Sequence, residues 1–249
     1  MGKHYYFSTI VFCALLTLSC SETTQNYADQ HLNPKVWLHR ANSIEKTAYY
    51  RDKFAGFEID VQFNSNGIFT IKHGGFDENF DMTLEEWLQA LDRKKKANLW
   101  LDFKNLSKDN EEDALKEIKR LRKKYGLKGT IYIESSSPEC LKPFENTGFA
   151  TSYYIPFFHS YASKEEIRKV ADSIRNNVEM FNIKRISGFY SQYKFMVDSF
   201  PDLRKLTWYE RYGDGKYYYI DIVTQDDKAD VILIAVPDTI DYKTAVQNK

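Results

Sequence analysis

The chain alternates short apolar runs with longer amphipathic segments from Lys35 onward. The runs have the length of strands, and several place apolar residues at every second position, whereas the longer segments follow a helical period. Such an alternation predicts a parallel sheet covered by helices. The predicted strands are KVWLHR, GFEIDVQF with a hairpin-like return through GIFTIKH, NLWLDFK, TIYIES, TSYYIPF, RISGFY, KLTWYE and VILIAVP.

Helix-like segments lie between most of the predicted strands: NSIEKTAYYRDKF, TLEEWLQALDRKKK, NEEDALKEIKRLRKKYG, SPECLKPFENTG, SKEEIRKVADSIRNN and SQYKFMVDSF. Two of them begin with a capping box, Thr83 to Glu86 and Ser163 to Glu166, which is a signal for a helix start. Eight strand units with intervening helices predict a single (β/α)8 TIM-type barrel, an α/β fold, over residues 35–249. Near the C-terminus, the GDG turn and the segment KYYYIDIV favour an added β-hairpin.

The first residues have the pattern of a secretory signal. Lys3 precedes an apolar run from Tyr5 to Leu18, which is too short for a comfortable membrane span, and Ser19-Cys20 follows. The segment LTLSC resembles the lipobox of bacterial lipoproteins. The resemblance implies a signal peptide over residues 1–19, a lipidated Cys20, a polar tether over 20–34, and an exported protein anchored on the periplasmic or cell-surface side. An ordinary signal peptide or an uncleaved anchor is the alternative.

Composition narrows the class of protein. The 249 residues are 43% hydrophobic, and 35 basic residues balance 35 acidic ones, which argues against a disordered, collagenous or nucleic-acid-binding chain. If Cys13 leaves with the signal peptide and Cys20 is modified, Cys140 has no partner. No disulfide framework is therefore expected.

Charged residues end several predicted strands, and period-two alternation puts Glu58 with Asp60, and Asp102 with Lys104, on shared faces. Because the active sites of such barrels lie at the C-terminal strand ends, these side chains are expected to meet at one mouth. Three acids held together would repel one another, so a divalent cation is expected, and hard oxygen ligands favour Mg²⁺ or Ca²⁺. Taken singly, each of these residues has an ordinary structural explanation: a surface strand, a turn residue or a strand-end ion pair. The group comprises His39, Arg40, Glu58, Asp60, His73, Asp102 and Lys104.

The stretches LHRANS, GFEIDVQFNSNGIFTIKHGG and LWLDFK resemble motifs of the glycerophosphodiester phosphodiesterases, which belong to the phospholipase-C-like phosphodiesterase barrels. The resemblance covers residues 36–104 most specifically, and Thr207-Trp208 lies where that family often has a strand-seven tryptophan. LDFK, the NS after HRA, and MTLEEWL also resemble the menorin branch. The chain departs from the family pattern at Asp102, usually Glu, at Gly74, usually Asp, and at Ala41-Asn42, usually Gly.

The resemblance implies a metal-dependent phosphodiesterase acting on a glycerophosphodiester or a related small-molecule phosphodiester. Glu58, Asp60 and Asp102 would hold one Mg²⁺ or Ca²⁺, and His39 and His73 would serve as general acid and base. Arg40 and Lys104 would bind the phosphate, and Trp208 would form an apolar wall for an alcohol; Glu134 and Ser135 are further candidates, Glu134 as an additional ligand. Two alternatives remain: a lyase that leaves a cyclic phosphate, and a non-catalytic lipoprotein that binds a phosphorylated ligand.

Overall fold

The computed structural model describes residues 33–73, 82–91, 96–209 and 218–236. The predicted signal peptide, Cys20, most of the tether, Gly74-Gly75 and the GDG turn lie outside these ranges. None of the described helices is both long enough and apolar enough to cross a membrane.

Eight parallel strands form a closed ring, which confirms the predicted barrel. Around the ring the order is β1, β2, β4, β5, β6, β7, β8 and β9, with β9 paired to β1; β3 pairs antiparallel with β2 outside the ring, as the hairpin-like return predicted. The strands are β1 Val36–Leu38, β2 Gly56–Phe63, β3 Phe69–Ile71, β4 Asn98–Phe103, β5 Ile131–Ser135, β6 Ala150–Tyr154, β7 Arg185–Phe189, β8 Arg204–Tyr209 and β9 Ala229–Ile234.

Strand β2 pairs with its two neighbours in the ring over different lengths. Strands β2 and β4 pair over six successive positions, from Gly56 opposite Asn98 to Val61 opposite Phe103. Strands β1 and β2 pair in register at one position, Leu38 opposite Phe57. The backbone N–H of Ala41 donates to the carbonyl of Glu58 at 2.8 Å. The residues that follow β1 therefore extend its contact with β2 towards the C-terminal end of the barrel.

Helices follow most strands, and two predicted helix starts and one predicted helix end are confirmed. Both capping boxes form, at Thr83 and Ser163, and Gly126 ends one helix in the left-handed region at φ 61°, where glycine carries no Cβ penalty. The helices are α1 Ile44–Tyr50, α2 Leu84–Ala90, α3 Glu111–Tyr125, α4 Lys142–Glu145, α5 Lys164–Phe181, α6 Tyr193–Ser199 and α7 Tyr218–Gln225.

Two predicted segments differ in the structure. Residues 218–223 of the predicted C-terminal hairpin lie in α7 instead, because Tyr219, Ile220 and Val223 are all buried and their spacing matches one helical face. The segment predicted as one helix over SPECLKPFENTG is a 3₁₀ turn, Pro138–Cys140, followed by the single turn of α4. Pro143 lacks the N–H that a continuous helix would need there.

The apolar residues form an outer core between barrel and helices and a smaller cluster inside the ring. The inner cluster fills the lower barrel with Trp37, Trp100, Tyr132, Leu206, Val231 and Leu233. Gly56 permits this filling, because a Cβ at that position would lie 2.4 Å from the Trp37 ring. The packed floor leaves open space at the C-terminal ends of the strands.

Candidate active site

A cavity of about 230 Å³ opens at the C-terminal end of the barrel, the end where the active sites of this fold lie. All eight residues to which the sequence gave a metal, catalytic or substrate-binding role line it, together with Glu134; Ser135 is buried but does not line the cavity. The lining residues are His39, Arg40, Glu58, Asp60, His73, Trp100, Asp102, Lys104, Glu134, Tyr154, Trp208 and Leu233.

Strand register explains why the acids converge. Asp60 on β2 lies opposite Asp102 on β4, and Asp102 lies opposite Glu134 on β5. Residues paired in adjacent parallel strands point to the same side of the sheet. Because Asp60 faces the inside of the barrel, Asp102 and Glu134 face it too. The predicted side-chain parity of these strands is confirmed.

Three carboxylates form a compact cluster, which we call the acid cluster: Glu58, Asp60 and Asp102, each offering one oxygen within 4.8 Å of the others. Burial raises the pKa of Glu58 well above its ordinary value, and the charges of Asp60 and Asp102 raise it further. Burial likewise raises the pKa of Asp102. A hard divalent cation accepts oxygen ligands of this kind and offsets the repulsion, so the donor set fits Mg²⁺ or Ca²⁺.

Asp60 is the best-supported member of the acid cluster. Burial alone would raise its pKa, but hydrogen bonds from His73, Lys104 and Asn42 outweigh that cost and hold the pKa below its ordinary value. Lys104 Nζ lies 2.8 Å from Asp60 Oδ1 and also donates to Asp102. Although burial would lower the pKa of Lys104, the two carboxylates raise it above its ordinary value, so this side chain is a fixed positive charge.

His39 lies beside Glu58 on the inner side of the ring. Its Nε2 is 3.8 Å from Glu58 Oε2, and burial, followed by the charge of Arg40, lowers the pKa of His39 to about 3. Arg40 donates its backbone N–H to Glu58 Oε2 at 2.6 Å and has a positive φ of 50°. A non-glycine residue in that region is uncommon and marks a backbone held by its surroundings.

His73 reaches the cavity from the residues after β3 and contacts two charged groups. Its Nδ1 lies 3.0 Å from Asp60 Oδ1, and its Nε2 lies 3.1 Å from Nη2 of Arg40. Since a guanidinium can only donate, Nε2 accepts this hydrogen bond. The ring proton therefore lies on Nδ1, towards Asp60.

Sequence reasoning did not identify Asn42 as part of the site. Its amide donates to Asp60 Oδ2 at 2.7 Å, and its Oδ1 accepts the backbone N–H of Asp60 at 3.0 Å. The carboxamide therefore contacts both the carboxylate and the backbone of Asp60 and holds the one in a fixed position relative to the other. The available signal was position: Asn42 is a polar residue two places after Arg40, in the connection between β1 and α1.

Aromatic side chains and Glu134 form the other part of the cavity. Trp208, which the sequence suggested as an apolar wall, contacts Trp100 at a centroid distance of 6.3 Å and Tyr154 at 5.2 Å. Glu134 Oε2 accepts a hydrogen bond from Trp100 Nε1 at 2.9 Å. Burial, followed by the charge of Asp102, raises the pKa of Glu134 to about 8. Tyr154 was not predicted, although the alternation of TSYYIPF places it on the same face as Ser152.

Comparison with solved structures places the fold among known phosphodiesterases. No family model matches the sequence, and no curated relative matches it either. A glycerophosphodiester phosphodiesterase from Parabacteroides distasonis aligns with a TM-score of 0.53 and 16% identity, over 87% of this chain and 98% of its own. One from Thermotoga maritima gives 0.55 and 14%, over 88% and 100%. A phosphodiesterase from Oleispira antarctica, bound to its product sn-glycerol-3-phosphate, gives 0.56 and 14%, over 87% and 96%.

The structural similarity agrees with the resemblance suggested by the HR, ExD and DxK motifs. At these identities it establishes a shared fold, and the chain has the TIM-barrel architecture of the glycerophosphodiester phosphodiesterases. The chemistry depends on the side chains at the C-terminal end of the barrel.

Proposed function

We propose that the protein is a divalent-cation-dependent phosphodiesterase that hydrolyses a glycerophosphodiester or a related small phosphodiester. The observation that carries this proposal is the meeting, in one cavity, of the acid cluster with two cationic and two imidazole side chains: Arg40, Lys104, His39 and His73. Phosphodiester cleavage needs positive charge at the phosphoryl oxygens and a proton for the leaving alkoxide. These side chains can supply both.

The acid cluster would hold one Mg²⁺ or Ca²⁺ through an oxygen each from Glu58, Asp60 and Asp102. When bound, the cation would polarise the phosphoryl group and offset its negative charge. Asn42 and Lys104 orient Asp60 for this task by hydrogen bonds that fix its carboxylate plane.

Arg40 and Lys104 are proposed to grip the phosphate. A guanidinium can bind two phosphoryl oxygens as a fork, whereas an ammonium acts as a point charge. Trp208 offers an apolar surface to the alcohol moiety, since it lines the same cavity.

We assign His39 as the general base and His73 as the general acid. His39 lines the cavity beside Glu58, and an uncharged imidazole nitrogen can accept the proton of a water that attacks phosphorus. The bond from phosphorus to the alcohol oxygen then breaks, and that oxygen takes a proton from His73, whose positive form is balanced by Asp60 at 3.0 Å. The products are a phosphomonoester and a free alcohol.

Product analysis tests the proposal. The purified protein is incubated with glycerophosphodiesters and Mg²⁺ or Ca²⁺, and phosphorus NMR follows the products. We expect a phosphomonoester, no turnover with chelator, and loss of activity in Asp102→Asn but not in Asp113→Asn, a matched change at an exposed carboxylate on α3.

Two other results would assign a different function. A cyclic phosphate product would show that a substrate hydroxyl is the nucleophile, as in the lyase alternative. Phosphodiester binding without turnover, across substrates and cations, would favour the non-catalytic binding protein.

A further inference from the structure

The loop between β6 and α5, residues 155–163, carries bulky aromatic side chains that the barrel does not bury. Phe157 is 50% exposed and Tyr161 is 82% exposed. Neither belongs to the apolar core, and neither lines the cavity. Single exposed apolar residues are normal on a protein surface, whereas exposed apolar side chains that lie together mark a site of interaction.

The exposed rings of this loop are packed together through His159. The ring centroids of Phe157 and His159 lie 5.1 Å apart with nearly perpendicular planes. The rings of His159 and Tyr161 are stacked, with centroids 4.8 Å apart and planes inclined by 5°. The three rings therefore form one surface. We call Phe157 and Tyr161, with the His159 ring between them, the aromatic rim.

Contacts on the inner side of the loop hold the aromatic rim in place. The buried Gln192 donates its side-chain amide to the carbonyl of Pro156 at 2.9 Å. Phe158 packs edge-on against Phe195 of α6, with ring centroids 4.9 Å apart. Residues 156 and 158 thus bind the loop to the barrel, and the alternate residues 157, 159 and 161 are left on its outer side.

The aromatic rim lies at the end of the barrel where the cavity opens. Tyr154, the last residue of β6, lines the cavity, so the loop that follows begins at the mouth. Ile68, which is 37% exposed, lies in the turn between β2 and β3 and therefore at the same end. Two strands of the ring separate β2 from β6. Exposed apolar side chains thus flank the mouth on two sides.

The composition of the aromatic rim suits the interface of a lipid bilayer. Tyrosine and histidine combine an apolar ring with a polar tip, and aromatic residues of this kind are favoured where hydrocarbon meets water. The hydroxyl of Tyr161 and the imidazole nitrogens of His159 can stay hydrated while the rings enter the head-group region. Phe157 adds a wholly apolar ring beside them.

The length of chain before the barrel permits this contact. Val36 begins β1 at the end of the barrel opposite the mouth. Between Cys20 and Asn33 an extended chain could span up to about 45 Å, whereas a six-residue strand rises about 20 Å. A lipid on Cys20 would therefore reach a membrane on either side of the barrel. The anchor alone leaves the orientation open, so a second contact is needed to select it.

We propose that the aromatic rim docks the barrel on the surface of a lipid bilayer, with the catalytic mouth facing the lipid head groups. Phe157 and Tyr161 would enter the interfacial region, and the cavity would open towards phosphodiesters at that surface. The proposal adds a membrane-facing surface to the proposed enzyme. It does not depend on turnover, because the side chains that carry it lie outside the cavity.

Tryptophan reporters at the two ends of α5 test this orientation. The helix begins just after the aromatic rim, and its 18 residues extend about 27 Å towards the opposite end of the barrel, where Met180 is 72% exposed. Tyr161→Trp and Met180→Trp are therefore matched reporters. The full-length protein, as processed by a bacterial host, is reconstituted with phosphatidylcholine vesicles that have brominated or unbrominated acyl chains, in chelator to prevent turnover. Wild type gives the background of the four native tryptophans.

We expect brominated lipid to quench the added fluorescence of Tyr161→Trp but not that of Met180→Trp. Adding Phe157→Ser to Tyr161→Trp should reduce the quenching, and circular dichroism checks that each variant is folded. Phe157→Trp is a second reporter in the aromatic rim if Tyr161→Trp does not fold.

Equal quenching of the reporters at the two ends of α5 would overturn the proposed orientation. No quenching in the aromatic rim would overturn the lipid contact and would favour a protein or polysaccharide as the partner of this surface. Neither result bears on the phosphodiesterase function, which is tested by the products formed in solution.

Discussion

Arg40 donates a hydrogen bond to Nε2 of His73 at 3.1 Å. This contact links the side chain proposed to bind the phosphate with the one proposed as the general acid. While it lasts, Nε2 cannot carry a proton to the leaving oxygen. We infer that a bound phosphodiester draws the guanidinium onto its own oxygens and so releases His73. Nε2 of His73 then becomes available for proton transfer only when substrate is present.

Arg40→Lys tests this coupling. Lysine keeps the positive charge but has no planar fork, so we expect kcat to fall by about 10²- to 10³-fold, the cost of one donor aimed at a developing charge, and KM to rise. Steady-state kinetics on a glycerophosphodiester measure both. Arg168→Lys, on the exposed face of α5, is the control, and an Arg40→Lys enzyme with near-wild-type kcat would contradict the coupling.

Metal binding should stabilise the fold. At a hundred times the dissociation constant a ligand adds about 2.7 kcal/mol to the free energy of unfolding, which for a domain of this size corresponds to roughly 5–11 °C in Tm. Thermal melting with Mg²⁺, with Ca²⁺ and with chelator measures it. Glu58→Gln should lose the shift and Glu165→Gln, at an exposed carboxylate on α5, should keep it; an unchanged shift in Glu58→Gln would rule out the acid cluster as the metal site.

Much of the site follows from strand parity. The sequence predicts that Glu58 and Asp60 share one face of their strand and that Asp102 and Lys104 share one face of theirs. It also predicts a closed parallel barrel, in which these faces meet at the same mouth. Asn42 and Tyr154 could not be inferred in this way, because their roles depend on which loop or strand lies next to them. Residues 218–223, the part of KYYYIDIV that the structure describes, were wrongly predicted because their apolar residues fit both a strand and one face of a helix, and contact with β9 decides between them.

The two histidines should separate in their response to the leaving group. His39→Ala and His73→Ala should each lower activity on an unactivated diester by about 10²- to 10⁴-fold. With a nitrophenyl diester, whose leaving group needs little protonation, His73→Ala should be largely rescued and His39→Ala should not. His159→Gln, exposed after β6, is the control. Rescue of His39→Ala instead would exchange the two assignments.

Glu134 should make the cation-free protein less stable as pH rises. Burial raises its pKa from 4.5 to about 8, so between these values the folded state binds more protons than the unfolded state. The free energy of unfolding therefore falls as pH rises through this window, by an amount on the order of a few kcal/mol. Urea unfolding from pH 5 to 8 in chelator should show a shallower decline in Glu134→Gln. Identical slopes would mean that Glu134 is ionised throughout.

Export and anchoring remain proposals that rest on the first twenty residues. If Cys20 carries the lipid, Cys20→Ala should shift the protein from the membrane fraction to the soluble fraction or stall its processing, and labelled fatty acid should no longer be incorporated. Fractionation and labelling in a bacterial host measure both. Membrane association of Cys20→Ala together with an intact Met1 would argue for an uncleaved anchor.

Strands β1 and β2 pair in register at one position, so the contacts at the mouth of the barrel also hold the ring closed at this edge. Above Leu38 and Phe57, these contacts are hydrogen bonds from the backbone N–H groups of Arg40 and Ala41 to Glu58 and from that of Asp60 to Asn42. Amide hydrogen exchange at Arg40, Ala41 and Asp60 therefore reports how often the barrel opens at this edge. A ligand that holds Glu58 and Asp60 should slow exchange there before it slows exchange between β2 and β4, so occupancy of the site can be followed without any assay of turnover.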